Sequence, residues 1–342
     1  MKKFLPFFVL LFAATLFAQN SVIAYFPHWA QYAQFKPSDI RMHLVTEVRY
    51  GYLTPSGSDL LFADETDKDN FLELAKRAKS AKVKVTVAIG GLGSEEAMKA
   101  SYGSKDLINA AKKFKDEFGI DAFELDGGAI EPSDLPKLLK LAADMAGAGI
   151  VVGVAVPGDE SLSSAVRSAD LSKIDKFSLW FTDDASISDS QVKPNSNVEN
   201  NIKVLAAFAN AGVPKNKLVP IIPFYGKTFF NAKGLGSSHE GAGSGTEGVL
   251  QYKDILDKFK DASTYKVEFD EATQSEVAVS SNETIVFNGI PSVKALAEAV
   301  KQNGYGGVAA FDISGDHKEP IVSLLVTMGQ VLRPGVDYKK KK

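Results

Sequence analysis

The chain has 342 residues, 45% of them hydrophobic and 24% charged, with a formal net charge of −3. This composition can bury a large core and excludes a disordered chain, and the balanced, interspersed charge excludes a broad nucleic-acid-binding surface. Cysteine is absent, which excludes disulfides and thiolate metal sites.

Residues 1–18 open with Lys2-Lys3, run apolar from Phe4 to Phe17 and end at Ala18. A charged start, a short apolar stretch and a small residue at the cut predict a secretory signal peptide, and so a secreted or periplasmic protein. The stretch is too short for a comfortable membrane span, and no later segment reaches the ~18 uninterrupted apolar residues a span needs.

Strand-like runs then recur at Val22–Phe26, Val45–Leu53, Val83–Gly90, Ile120–Asp126, Ile150–Val156, Lys176–Thr182, Leu218–Phe224 and Gly307–Ile313. Helical patterns lie between them at Asp69–Ser80, Ser104–Glu117, Ser133–Ala146, Asn197–Ala211 and Ser292–Asn303, with weaker signals at Lys36–Met42 and Ser161–Ala169. Eight strands alternating with helices predict parallel pairing through right-handed crossovers, closed as an α/β (β/α)8 TIM barrel over 19–230 and 289–332.

Residues 231–288 break the alternation. A Gly/Ser-rich start, a helical piece at Val249–Lys260 and β-favouring segments at Tyr265–Phe269, Val277–Val279 and Thr284–Phe287 predict a small α+β insertion between strand 7 and helix 8. The basic tail 333–342 ends in Lys339, Lys340, Lys341 and Lys342, which suit an anionic surface polymer or a solvated end.

Functional residues in such a barrel sit at the C-terminal ends of the strands. Trp29, Tyr52, Trp180, Tyr225 and Phe311 fall at or near those ends, where rings either face a sugar or pack in the core. The fourth strand carries Glu124 and Asp126 and runs on to Gly128, all with one parity and hence one expected direction. A carboxylic acid two residues beyond Asp126 would be placed to protonate a leaving oxygen, and glycine cannot do this.

These segments resemble glycoside hydrolase family 18, the chitinases and chitinase-like lectins. The family signature D-x-x-D-x-D-x-E is matched at Asp121 and Asp126, with Glu124 in place of the second Asp and Gly128 in place of the catalytic Glu. Gly90-Gly91, Pro223-Phe-Tyr-Gly226, Glu247-Gly248-Val-Leu-Gln-Tyr252 and Gly306-Gly307-Val-Ala-Ala-Phe311 resemble further family motifs in the correct order. In that family the strand-4 Glu is the acid and the substrate's N-acetyl oxygen is the nucleophile. The resemblance implies three more departures: Thr182 for the acetamide-holding Tyr, Phe311 for the floor Trp, and Lys227 for an Arg, while Asp183 is kept.

The expectation is an exported, chitinase-like glycan-binding protein that is catalytically inactive, with no catalytic residue at 128 and with Asp126, Glu124 and Asp183 as remnants. Its expected ligand-binding set is Trp29, Tyr52, Asp126, Trp180, Asp183, Tyr225 and Phe311. Two alternatives stay open: an active glycosidase with a relocated acid such as Glu131, and a scaffold for structure or surface attachment. No cofactor or metal is expected, because His28, His43, His239 and His317 lack ligand spacing. Arg49 is a candidate partner for Glu124 inside the barrel.

Overall fold

The computed structural model describes residues 20–338 apart from 168 and 262; the expected leader and the Lys339–Lys342 run lie outside the described residues. Strand β1 (Ser21–Pro27) leads into three short 3-10 turns, at His28–Ala33, Pro37–Asp39 and Met42–Leu44, in place of the helix expected at Lys36–Met42. Asp39 Oδ2 accepts the Lys36 N–H at 2.9 Å, which closes a single turn instead of propagating a helix.

Strand β2 (Glu47–Ser56) bends into a hairpin with β3 (Asp59–Leu61). Helix α1 (Glu65–Ala81) starts on Asp64, whose side chain accepts the Asp67 N–H, and stops at Lys82 in the left-handed conformation. Then come β4 (Lys84–Gly90), α2 (Glu95–Ser101), α3 (Asp106–Phe118), β5 (Ala122–Asp126), α4 (Leu135–Gly147) and β6 (Val152–Pro157). After β6 the expected helix at Ser161–Ala169 is a 3-10 segment, Glu160–Val166. Asp159 accepts the Ser161 N–H and the Ser164 hydroxyl donates to the Ser161 carbonyl, so side chains compete for the bonds a helix needs. Strand β7 (Phe177–Trp180), α5 (Val198–Asn210) and β8 (Leu218–Pro223) continue the alternation.

The second sheet contains β9 (Tyr225–Phe230), β10 (Val249–Gln251), β11 (Lys266–Asp270), β12 (Ser275–Val279) and β13 (Glu283–Phe287), in the antiparallel order β10-β9-β13-β12-β11. It therefore begins at Tyr225 rather than at 231. Val249–Gln251, expected to be helical, pairs instead with Lys227–Tyr225, so α6 starts only at Tyr252 and runs to Lys258. The insertion precedes α7 (Ile290–Asn303), which leads into the last barrel strand, β14 (Gly307–Phe311), and α8 (Leu324–Leu332).

Eight parallel strands close the barrel in the order β1-β2-β4-β5-β6-β7-β8-β14, with β14 returning to β1. Alternate residues divide two cores, because successive strand side chains face opposite ways. Outward residues such as Val22, Val85, Phe123 and Val154 pack under the helices. Inward residues, among them Ile23, Tyr25, Ala88, Ala155 and Ile221, fill the barrel beneath Tyr52, Trp180 and Phe311. A third cluster, including Phe229, Val277 and Val286, holds the insertion. Among the described residues no helix is long and apolar enough to cross a membrane.

Candidate functional site

The inward face of the barrel is not wholly apolar. Arg49, from β2, is buried and donates to Glu47 Oε1 at 2.8 Å, to the Tyr25 hydroxyl at 2.9 Å and to Ser178 Oγ at 2.7 Å. It also pairs directly with Glu124, for which charge compensation had made it a candidate partner. Glu124 further accepts from Tyr25 and, at 2.9 Å, from Ser178 Oγ. Burial would pull the guanidinium toward deprotonation, but Glu124, Tyr25 and Glu47 hold its pKa well above the ordinary value. Burial likewise pushes Glu47 up, and Arg49 and Lys84 outweigh it, so its carboxyl lies below the usual range. Glu124 is thus the anionic half of a structural pair deep in the barrel.

That pair supports the layer above it. Tyr25, fixed by Arg49 and Glu124, meets Trp180 at 5.4 Å and Phe311 at 5.6 Å between ring centroids. Trp180 and Phe311 meet edge to face at 4.8 Å. Trp29 stacks on Tyr52 at 6.0 Å with a 17° interplanar angle, and its side chain favours the ionised form of half-buried Asp312. The four rings bound a cleft of about 370 Å³ at the C-terminal ends of the strands. Trp29 is 38% exposed, so one of its edges is open to a ligand.

Asp126 ends β5 at the cleft floor and is buried. It accepts from the Gly128 N–H at 2.9 Å, and the neighbouring Tyr52 and Trp180 side chains favour its ionised form. Burial, reinforced by the charge of Glu124, outweighs these effects and pushes its pKa up to about 7. Asp183, at the rim, has a left-handed backbone (φ 63°) and is held from two sides. The Tyr225 hydroxyl donates to its Oδ2 at 2.6 Å, and Lys227 Nζ reaches Oδ1 at 2.6 Å. Lys227 therefore gives Asp183 a point charge in place of a planar fork.

The structure thus gathers Trp29, Tyr52, Asp126, Gly128, Trp180, Asp183 and Phe311 around one cleft. Tyr225 is not part of its lining and acts through Asp183. Glu131 is exposed in the turn before α4 and lies outside the lining. Position 128 departs from the strand parity expected for it. Strand β5 stops at Asp126, and Gly128 turns off it at φ +56°. Thr54, Leu92 and Ser94 also line the cleft; Thr54 lies on the far end of β2, where it pairs with β3, and Leu92 and Ser94 sit in the loop after β4, where local sequence carries no periodic signal. Among the described residues no group of three or more His, Asp or Glu side chains could hold a metal ion.

Together these features define a (β/α)8 barrel with an aromatic, carboxylate-floored cleft at the C-terminal ends of its strands. The family model for glycosyl hydrolases family 18 matches residues 21–316, and the chain belongs to that family. It is similar to Chitinase 1 of Aphanocladium album, 24% identical over 86% of this chain and 81% of the relative. It is also similar to Class V chitinase CHIT5b of Medicago truncatula, 26% identical over 81% of this chain and 83% of the relative. A mutant class V chitinase from Nicotiana tobaccum in complex with NAG4 shares the fold at a TM-score of 0.80 and 19% identity, covering 92% of this chain and 99% of that one.

Proposed function

We propose that the protein binds a glycan containing N-acetylglucosamine in this cleft and does not hydrolyse it. Support for the ligand comes from the four-ring cleft over Asp126, from relatives named as chitinases, and from the NAG4 bound to the Nicotiana tobaccum enzyme. Rings of this kind stack on the apolar faces of sugars, and a few polar groups fix orientation.

The absence of turnover rests on Gly128, a cleft residue at the position where the sequence resemblance places the family's catalytic Glu. General acid catalysis needs a proton donor within about 3 Å of the leaving oxygen. Glu131 is exposed outside the cleft, and Glu124 is committed to Arg49. The carboxylate nearest to position 128 is Glu95, whose oxygens face the N–H groups of Gly93 and Ala129 and so serve as acceptors. Asp126 can hold a proton near neutrality, but it spends its contacts on Gly128, Tyr52 and Trp180.

Residues 1–18 support export, and the terminal lysines suit attachment to an anionic polymer. One purified sample assayed for both binding and turnover of N-acetylglucosamine oligomers tests the reading. Binding without turnover is expected. Turnover would overturn the inactivity, and the absence of both would favour the scaffold alternative.

A further inference from the structure

The loop after β4 and the loop after β5 meet backbone to backbone beside the cleft. The Gly91 N–H donates to the Asp126 carbonyl at 3.1 Å, and a Cβ on Gly90 would stand 2.4 Å from that same oxygen. At Gly128 the crowding has a different source. A Cβ there would lie 2.8 Å from Glu95 Oε1 and 3.0 Å from the Gly91 carbonyl oxygen. Glu95 belongs to a distant stretch of sequence, yet its carboxylate stands where any side chain at 128 would begin.

The bland account of Glu95 is an acid in the first turn of a helix, favoured by the helix dipole. Its contacts point elsewhere. Glu95 Oε2 accepts the Gly93 N–H at 2.9 Å, ahead of α2, and the Ala129 N–H faces Oε1 at 3.4 Å from the loop after β5. Gly128 and Ala129 both line the cleft, and Glu95 braces them from outside the lining.

We infer that Glu95 is a positioning residue of the glycan cleft: its carboxylate is wedged into the space a side chain at 128 would need and holds the Gly128–Ala129 wall in its ligand-binding shape. The change at 128 then has two halves. Glycine removes the acid and permits the left-handed turn, and Glu95 fills what the side chain left. Putting an acid back by Gly128→Glu alone meets a strained left-handed backbone and requires the Glu95 side chain to swing aside, so it is expected to restore hydrolysis poorly. The inference rests on the glycan-binding reading for its ligand, but the wedge itself is testable without one.

A cycle of melting temperatures over wild type, Gly128→Ala, Glu95→Ala and the double variant reads the wedge. Gly128→Ala is expected to lower Tm by roughly 5 °C in the wild-type background, from backbone strain plus overpacking. With Glu95→Ala the same change should cost about half as much, because only the backbone strain and the Gly91 oxygen remain. Equal losses in both backgrounds would overturn the wedge.

Calorimetric titration with the N-acetylglucosamine tetramer reads the positioning. Glu95→Ala should weaken binding about fivefold with Tm within about 2 °C of wild type, and Glu95→Gln, which keeps one carbonyl acceptor, should recover part of it. Unchanged affinity in Glu95→Ala, or a loss that simply follows a fall in Tm, would overturn the positioning role. A wild type that binds no oligomer would refute the proposed ligand, while the melting cycle would still decide the wedge.

Discussion

Asp126→Asn separates the buried carboxyl at the cleft floor from every other titrating group. Asparagine resembles the protonated acid in size and keeps an oxygen for the Gly128 N–H, but it does not titrate. Burial raises the Asp126 pKa from 3.8 to about 7. Between those values the folded state keeps a proton that the unfolded chain has released. Raising the pH through that window therefore favours unfolding, and the loss levels off above the folded pKa. About 3 units at ~1.4 kcal/mol each set a ceiling near 4 kcal/mol, of which roughly 2–3 kcal/mol falls between pH 5 and pH 8. Urea unfolding of both proteins at those two pH values is the assay. The wild type should lose roughly 2–3 kcal/mol relative to Asp126→Asn on going from pH 5 to pH 8. Parallel pH dependences, differing by less than about 0.5 kcal/mol, would show that the carboxyl titrates normally and would refute the reasoning.

Arg49→Met leaves Glu124 buried without its cation and Glu47 with Lys84 alone, so it should destabilise by about 3–5 kcal/mol and lower Tm by roughly 6–10 °C, while adding Glu124→Leu should recover part of the loss. A thermal melt of Arg49→Met within about 2 °C of wild type would contradict that. Trp29→Ala removes an exposed ring stacked on Tyr52, so affinity for N-acetylglucosamine oligomers should fall about five- to tenfold with little change in Tm. Glu131→Gln should leave both glycan affinity and turnover as in wild type, since Glu131 lies outside the cleft. A change beyond about twofold in either measurement would reinstate it as a site residue.

The barrel was legible because its signal is local and repeated. Period-two apolar runs such as Val83, Val85, Val87 and Ile89 alternate with helical stretches, and parallel strands joined that way have few closed arrangements. The same parity placed Glu124 in the interior, and the strand ends pointed to Trp29, Tyr52, Trp180 and Phe311. Helix boundaries were less legible where side chains compete with the backbone, as Asp39 and Asp159 do. The start of the insertion was also hidden, because β9 pairs with β10 and β13, partners far along the chain.

By itself, then, the sequence determined the alternation, the barrel and the aromatic strand ends, since each follows from the periodicity or identity of neighbouring residues. Only the tertiary structure decided that Tyr225 acts through Asp183 and that Gly128 turns off the strand. It alone placed the Glu95 carboxylate beside Gly128. The physical reason is common to all three: where a regular strand ends, the backbone takes its direction from whatever packs against it, and here the partner comes from a segment the local pattern does not specify.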